Sequence, residues 1–277
     1  MKSSAFEYSR PGTVAEAVGL LAGSDGNAMP ICGGQSLLIL MGLRFAITGL
    51  LVDISRLEDL RRVDQRDGHV FIGAATTHAA IEDGKVPDPS LGLMSRVASK
   101  IAYRAVRNLG TIGGSVALAD PSADWPACLM ALGAQAVIAG PDGTRREEVE
   151  TLIQGPYQTS LMPGEIIVGF EIAQHKSARW GVSKVSRKSG AFADSIAVFI
   201  DTTSDGPARL ALTGTTSHAR ILPRVGRYAE SSRVLNPEEL RATVREDLAE
   251  IDPAADAYQL RCHVATVSRA IAEARAT

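Results

Sequence analysis

The sequence predicts an α+β protein assembled from unequal units, not a single repeating strand-helix-strand sheet. Three features of the 277-residue chain indicate this class. Helical and strand periodicities alternate irregularly, Asp-Gly turns join strands into hairpins, and a polar stretch at 174–178 precedes a separate block of strands and helices. At about 100 to 200 residues per domain, the length allows two or three domains. We therefore expect units at 1–58, 59–176 and 177–277.

The first unit is predicted to alternate short strands with two helices. Thr13 and Glu16 form a capping box that starts a helix running to Gly23. Gly33 and Gly34 break the second strand, so a glycine turn connects the end of that strand to the next helix. The predicted elements are strands at 5–8, 28–32 and 50–53 and helices at 13–23 and 36–43.

The second unit is predicted to combine hairpins with helices. Asp67 and Gly68 lie between two strands within 61–75, which is a typical hairpin signal. Apolar residues recur at helical spacing over 91–102. The other predicted elements are a glycine cluster at 110–114, a helix at 124–132, a strand at 134–139, a hairpin turn at 141–143 and a strand at 165–172.

The third unit is predicted to be a sheet covered by helices. Asn236 is expected to cap a helix that has Pro237 at its first position. The turn between the last two strands is expected at Asp205, Gly206 and Pro207. The predicted elements are strands at 184–187, 196–201 and 210–216 and helices from 236 and over 257–274.

Composition and charge exclude several classes of protein. The chain is 45% apolar, which excludes a disordered or fibrous protein. Its 29 basic and 31 acidic residues give a net charge of -2, so no basic surplus is left for nucleic acid or an anionic membrane. No run of about 20 apolar residues exists, and residues 1–11 lack the apolar core of a signal peptide. We therefore expect a cytoplasmic protein.

The cysteines and histidines predict neither a disulfide framework nor a metal site. Cys32, Cys128 and Cys262 are odd in number and far apart, which fits a reducing compartment. An iron-sulfur cluster usually needs four thiolates, so any such cluster would sit on another polypeptide. Cys128 is interpreted as a buried small hydrophobe. The five histidines lack metal-ligand spacing, and we interpret most of them as surface or capping residues.

Two glycine loops are the candidate ligand site. Residues 32–36 and 111–115 each carry a Gly-Gly pair with polar neighbours. Such a pair permits positive φ and lets consecutive backbone N–H groups converge on an anion, although a tight structural turn is the alternative for either loop. Two such loops suit an extended pyrophosphate. Asp124, at a helix start, could accept from a ribose or adenine group or cap backbone amides. The G-x-G-x-x-G, P-loop and G-x-S-x-G patterns are absent, which argues against their usual chemistries.

These motifs resemble those of the FAD-binding medium subunit of molybdenum hydroxylases, the relatives of carbon monoxide dehydrogenase and xanthine dehydrogenase. The segment 32–36 (C-G-G-Q-S) is similar to the A-G-G-[HQ]-S loop of that family, and 111–114 to its T-I-G-G loop. Similar segments follow in family order at 120–124, 163–167 and 184–188. The resemblance implies an FAD-binding fold of the vanillyl-alcohol oxidase (PCMH) type in two subdomains. It also implies a C-terminal α+β domain like that of the carbon monoxide dehydrogenase flavoprotein.

The resemblance also assigns FAD contacts to individual residues. The two loops would contact the pyrophosphate, Asp124 the adenosine or ribitol side, and Ile167 would pack near the rings. Lys184 would lie near the flavin and stabilise the negative charge of its reduced form, the alternative being an exposed strand lysine. The predicted cofactor-binding residues are Pro30, Ile31, Cys32, Gly33, Gly34, Gln35, Ser36, Leu37, Gly110, Thr111, Gly113, Gly114, Ser115, Asp124, Ile167 and Lys184. No catalytic residue is predicted in this chain.

Several positions depart from the family pattern. Cys32 replaces a common alanine, and Gln35 stands where histidine is frequent. Leu118 occupies a position where relatives often carry histidine, and Ala191 replaces a frequent acidic residue. Because these last two lie where the flavin face or a docking surface is expected, the sequence does not fix the electron acceptor. Phe192 could cover the ring or be a core aromatic.

The resemblance implies an oxidoreductase subunit that works with two partners. A large subunit with a molybdopterin cofactor would hydroxylate the substrate, and a small subunit with two [2Fe-2S] clusters would carry electrons. FAD on this chain would pass them to an external acceptor such as a quinone, NAD or O2, in a dimer of heterotrimers. A stand-alone FAD-dependent oxidase or reductase of the same fold is one alternative. A non-redox nucleotide-binding module is another.

Overall fold

Three sheets of three or more strands, and a fourth that pairs two short strands, organise the residues that the computed structural model describes, which are 2–202, 206–232 and 234–276. The first sheet is parallel, with its strands in the order β1-β3-β2. Thr13 caps the first helix as predicted, since its Oγ1 accepts from the Glu16 amide at 3.2 Å. The elements of this unit are β1 (Glu7–Ser9), α1 (Val14–Ala22), β2 (Ala28–Ile31), α2 (Leu37–Gly42) and β3 (Leu50–Asp53).

The second sheet is antiparallel and has five strands in the order β4-β5-β10-β6-β7. Asp67 and Gly68 both have positive φ, at 51° and 75°, and they form the predicted hairpin turn between its first two strands. The elements are α3 (Glu58–Arg61), β4 (Val63–Arg66), β5 (His69–Gly73), α4 (His78–Glu82), α5 (Leu93–Ser99), α6 (Arg104–Arg107), α7 (Ile112–Leu118), α8 (Asp124–Ala131), β6 (Gln135–Gly140), β7 (Gly143–Glu148), α9 (Val149–Leu152), β8 (Ile153–Gly155), β9 (Gln158–Thr159) and β10 (Ile166–Ala173).

The third sheet is antiparallel, in the order β11-β12-β13-β14, and both of its faces are covered. The elements are β11 (Arg179–Val185), β12 (Ser195–Asp201), β13 (Arg209–Thr213), β14 (Arg220–Ile221), α10 (Pro223–Ser231), α11 (Pro237–Ile251) and α12 (Ala257–Ala276). Side chains alternate along a strand, so Ile196 and Val198 pack into the core shared with the second unit. Ala197 and Phe199 pack instead against the C-terminal helices.

The sequence-based elements differ from the structure at several places. The helix predicted over 91–102 is shorter, because Leu91 and Gly92 have left-handed φ of 56° and 100° and cannot begin a helix. The strand predicted at 184–187 spans Arg179–Val185 instead. Helix α10 was missed, and α7 begins inside a segment predicted as a glycine cluster. Of the predicted turn at 205–207, Asp205 lies outside the described residues.

A close contact between β11 and α12 explains the missed strand start. A Cβ on Gly181 would lie 2.0 Å from the carbonyl oxygen of Ala270, so only glycine lets the helix cross the strand at this distance. The contact matters for the fold because α12 covers the face of the third sheet that carries Ala197 and Phe199. A glycine inside a strand is a sequence signal against a strand, which is why the prediction began later.

We expect Gly181→Ala to lower the free energy of unfolding by about 2 to 3 kcal/mol, because the added methyl group forces α12 away from the sheet. Gly19→Ala in α1 is the matched control, since no atom lies within 4 Å of its added Cβ. Alanine is favoured over glycine in a helix, so the control should gain about 0.5 to 1 kcal/mol. Urea denaturation of both variants measures these changes, and equal stabilities would contradict the packing argument.

Candidate functional site

A cleft of about 400 Å³ lies where the two glycine loops meet the third sheet. This volume falls in the range of about 300 to 1,000 Å³ typical of small-molecule sites. All sixteen residues predicted to bind the cofactor line this one cleft. Leu118, Ala191 and Phe192 line it as well. The structure therefore brings together residues from 30–37, 110–124, 167 and 184, which are far apart in the chain.

The first loop presents backbone donors to the cleft. Gly34 adopts a left-handed φ of 68°, which turns the chain between β2 and α2. Among the described residues, no protein group accepts a hydrogen bond from the backbone N–H groups of residues 34–37. Consecutive free amides of this kind form a concave nest for an anion. The loop thus fits the phosphates of a dinucleotide without a lysine or arginine.

The second loop differs from the prediction, because its amides are already bonded within the protein. The Ile112 amide donates to the Thr76 carbonyl at 3.0 Å, and the Gly113 amide donates to the Ala74 carbonyl at 2.9 Å. Thr111 caps α7 and accepts from the amides of Gly114 and Ser115. The expectation of a second set of free amide donors is therefore wrong for this loop.

Both loops pack closely against neighbouring backbone at glycine residues. A Cβ on Gly33 would lie 2.2 Å from the Leu109 carbonyl oxygen, and a Cβ on Gly113 would lie 2.4 Å from the Cβ of Ala74. Both residues line the cleft, but a side chain at either position would run into protein atoms. Gly114 is exposed, and the only close neighbour of an added Cβ would be the Thr111 hydroxyl at 2.9 Å. Gly33 and Gly113 are therefore required for the close packing of the two loops.

Lys184 and Asp124 form a buried ion pair in the cleft wall. The Lys184 Nζ lies 2.9 Å and 3.0 Å from the two carboxylate oxygens of Asp124 and also donates to the Lys100 carbonyl. Their side chains are only 8% and 9% exposed, which excludes the alternative of an exposed strand lysine. Burial raises the pKa of Asp124 to about 6, although the Lys184 ammonium opposes this shift. Lys184 is thus a compensated charge and joins the third sheet to α8.

His78 is a site residue that the sequence interpretation missed. We interpreted most histidines as surface or capping residues, but His78 is 5% exposed and lines the cleft. Trp125, fully buried in α8, donates from Nε1 to His78 Nδ1 at 2.9 Å. Burial, together with the nearby Arg107, lowers the pKa of His78 to about 4. His218 and His263 are also buried, so the surface interpretation was wrong for these three histidines. No spacing signal links His78 to Trp125 in the sequence.

The sequence left two alternatives for Phe192, a core aromatic or a cover for the ring, and the structure decides between them. It is 71% exposed and lines the cleft, so it is not a core aromatic. Leu118 and Ala191 are half-buried beside it in the same cleft. Cys128 is fully buried, as predicted, and burial raises the pKa of its thiol. An exposed aromatic at the mouth of the cleft can cover a planar ring.

Neither a metal-binding cluster nor a membrane-spanning helix is found in the part of the chain that the structure describes. No group of three or more His, Cys, Asp or Glu side chains is placed to hold a metal ion within 2–202, 206–232 and 234–276. Within the same ranges, no helix is both long enough and apolar enough to cross a membrane.

This arrangement defines a class: an α+β protein with a deep cleft and a backbone nest for phosphates. Residues 4–174 match the family model described as the FAD binding domain in molybdopterin dehydrogenase. The match covers more than half of the chain, and the protein belongs to this family. It is a medium subunit of the molybdenum hydroxylase type and an oxidoreductase component. The predicted family, fold class and FAD cofactor are confirmed at this level.

Individual relatives agree with this assignment. The chain is 33% identical over 255 residues to the carbon monoxide dehydrogenase medium chain of Hydrogenophaga pseudoflava, covering 91% of this chain and 88% of that one. It is 31% identical over 243 residues to the nicotine 6-hydroxylase medium subunit of Paenarthrobacter nicotinovorans, covering 87% and 83%. The solved carbon monoxide dehydrogenase of H. pseudoflava matches with a TM-score of 0.91 at 32% identity, over 100% of this chain and 99% of that one.

We expect Lys184→Met to lower the free energy of unfolding by about 3 to 5 kcal/mol at pH 8, because it leaves a buried carboxylate without its partner. The double variant Lys184→Met/Asp124→Asn should recover most of that loss. Without Lys184 the folded-state pKa of Asp124 rises further above the unfolded value, so the folded variant binds the extra proton and loses stability as pH increases.

Denaturant unfolding at several pH values measures this effect. The stability gap between the wild type and Lys184→Met should widen from pH 6 to pH 8. A gap that is constant over this range, or a double variant as unstable as the single one, would contradict the buried pair.

Proposed function

We propose that this chain is the FAD-carrying electron-transfer subunit of a heterotrimeric molybdenum hydroxylase. It would take electrons from [2Fe-2S] clusters of a small subunit and pass them to an external acceptor. A large subunit with a molybdopterin cofactor would turn over the organic substrate. FAD, when bound, supplies an acceptor of two electrons. The observation that carries the proposal is the row of free amides at residues 34–37 on the wall of a cleft large enough for a cofactor.

The residues of the cleft fit FAD in chemistry as well as in size. The amides of residues 34–37 would hold the pyrophosphate, with Ser115 adding a hydroxyl from the second loop. Ile167 is buried in the cleft wall and gives the ring system an apolar surface. Phe192 would cover the ring. Because Asp124 compensates Lys184, the pair would add little net charge near the cofactor.

The exposed apolar surface beside the first loop supports the proposal that this chain functions as a subunit of a complex. Large apolar side chains project from α2 and the turn after it, among them Ile39 at 61% exposure, Phe45 at 81% and Ile47 at 66%. Soluble monomers rarely expose a large contiguous apolar surface, so such a surface generally marks an interaction site. Relatives are described as medium subunits, which agrees with partner chains. We propose a large molybdopterin subunit and a small cluster subunit, in a dimer of heterotrimers.

The proposed organisation of the chain follows the three sheets. We propose FAD-binding subdomains at 1–58 and 59–176 and a C-terminal domain at 177–277. The cysteines are unpaired in the structure, which supports a reducing compartment, and we propose the cytoplasm.

The alternative is a stand-alone FAD-dependent oxidase or reductase. One experiment distinguishes the electron-transfer subunit from the stand-alone enzyme. Organic substrate is added to the flavin-loaded chain with and without its partner subunits, and the loss of flavin absorbance is recorded. We expect bleaching only when both partners are present. Bleaching of the isolated chain by an organic donor would favour the stand-alone enzyme.

We expect Gly34→Val to abolish FAD retention, because a branched side chain in the left-handed region disrupts the nest of amides. Gly26→Val is the matched control: its φ is 81°, no atom lies within 4 Å of its added Cβ, and it does not line the cleft. The control should lose stability but keep FAD. The FAD-to-protein ratio after gel filtration measures both, and equal FAD content in the two variants would contradict the assignment of the first loop.

We expect Phe45→Glu to weaken co-purification with the partner subunits at least tenfold while FAD content stays unchanged, since it places a charge in the apolar surface. Val234→Glu, at an 84% exposed position in the third unit, is the control for the charge change. Pull-down of co-expressed subunits measures the effect. Normal assembly of Phe45→Glu would show that this surface is not an interface.

A further inference from the structure

His78 lies in the cleft wall, in contact with the second glycine loop and with α8. It is the first residue of α4, and its amide donates to the Gly110 carbonyl at 3.0 Å. A Cβ on Gly110 would lie 2.8 Å from His78 Nε2, so this nitrogen sits directly beside the start of the second loop. Both residues line the cleft.

The partner of Nδ1 fixes which nitrogen of the ring carries the proton. An indole N–H can only donate, and Trp125 Nε1 lies 2.9 Å from His78 Nδ1. Nδ1 must therefore be the acceptor. In a neutral imidazole with Nδ1 as acceptor, the proton resides on Nε2. With a pKa of about 4, the ring is neutral at pH 7.

The Nε2–H group has no acceptor within the described part of the protein. The hydrogen bonds of residues 2–202, 206–232 and 234–276 include none from this nitrogen. Nε2 is not one of the fully buried side-chain atoms that lack a partner in these residues, so it is open to solvent or to a ligand. A ligand that displaces water from it must offer an acceptor, because a donor left unsatisfied on binding costs free energy. His78 lines the cleft, which is where a ligand can supply that acceptor.

We infer that His78 is a cofactor-binding residue that donates a hydrogen bond from Nε2 to an acceptor oxygen of the dinucleotide, and that Trp125 holds the ring in the donating tautomer. This inference rests on the proposed FAD role of the cleft. The acceptor is a pyrophosphate oxygen or a hydroxyl of the ribose or ribityl chain. His78 would then do what the bonded amides of the second loop do not, since it supplies a free donor on that side of the cleft.

The tautomer can be tested before any cofactor is added. Nitrogen-15 NMR of the histidine side chains in the full-length apoprotein should show His78 with Nε2 protonated and Nδ1 unprotonated at pH 7. A protonated Nδ1 would overturn the inference. Trp125→Phe should convert His78 to a mixture of tautomers.

Binding is tested by titrating the apoproteins with FAD and, separately, with ADP. His78→Phe should bind FAD about three- to tenfold more weakly, the range for one net hydrogen bond, and His78→Gln should recover part of the loss through its amide donor. His69→Phe, at an exposed position that does not line the cleft, is the control and should bind normally. Thermal denaturation of each apoprotein shows whether the variant is folded.

The two ligands distinguish the two sources of the acceptor. A similar loss with ADP and FAD assigns the acceptor to the adenosine-diphosphate half, and a loss with FAD alone assigns it to the ribityl-flavin half. Unchanged affinity of folded His78→Phe for both ligands would overturn this inference alone. A wild-type chain that fails to bind FAD would overturn the proposed function and this inference with it.

Discussion

The close approach of the two glycine loops is the constraint on which the site depends. The Leu109 carbonyl would lie 2.2 Å from a Cβ on Gly33, so the loops can meet only because that residue has no side chain. This contact places the free amides of residues 34–37 opposite the start of α7. The second loop offers fewer free donors, because the amides of Ile112 and Gly113 hold the start of α7 against the segment 74–76. The cleft is thus a consequence of backbone packing.

Among the described residues, no uncompensated cation lines the cleft, so a bound anion finds little positive side-chain charge there. Lys184 is paired with Asp124, and His78 is uncharged at pH 7. We therefore expect anion binding to rely on the backbone dipoles of the first loop, whose orientation is set by the fold and does not change when a ligand gains charge. The ion pair also joins β11 to α8, so the C-terminal unit supplies one wall of the cleft. Removing either partner should therefore affect both stability and the shape of the site.

The sequence was sufficient to predict which residues share the cleft but not the contacts among them, and their binding of the cofactor stays a prediction. Hairpin turns such as Asp67-Gly68 and caps such as Thr13 depend on local chemistry, so a linear pattern predicts them. Glycine misled the prediction where it serves close packing: Gly181 lies within a strand and Gly226 within a helix. Each is required because a neighbouring backbone carbonyl comes within 2.0 Å and 2.7 Å of the missing Cβ. Such neighbours are distant in sequence, and no periodicity reveals them.

The same limit applies to side-chain pairs. Lys184 and Asp124 were both predicted as site residues, yet nothing in the sequence indicated that each neutralises the other. His78 and Trp125 are 47 positions apart, and their hydrogen bond exists only because α4 and α8 share the cleft wall. Motifs therefore predicted which loops line the cleft, and the three-dimensional structure was needed to assign the charge and proton of each group.

The flavin content of the isolated chain tests the central claim most directly. The full-length protein, reconstituted with FAD and freed of excess ligand, should show the visible absorption of oxidised flavin at one FAD per chain. A preparation that is folded by circular dichroism and still colourless after reconstitution would contradict it.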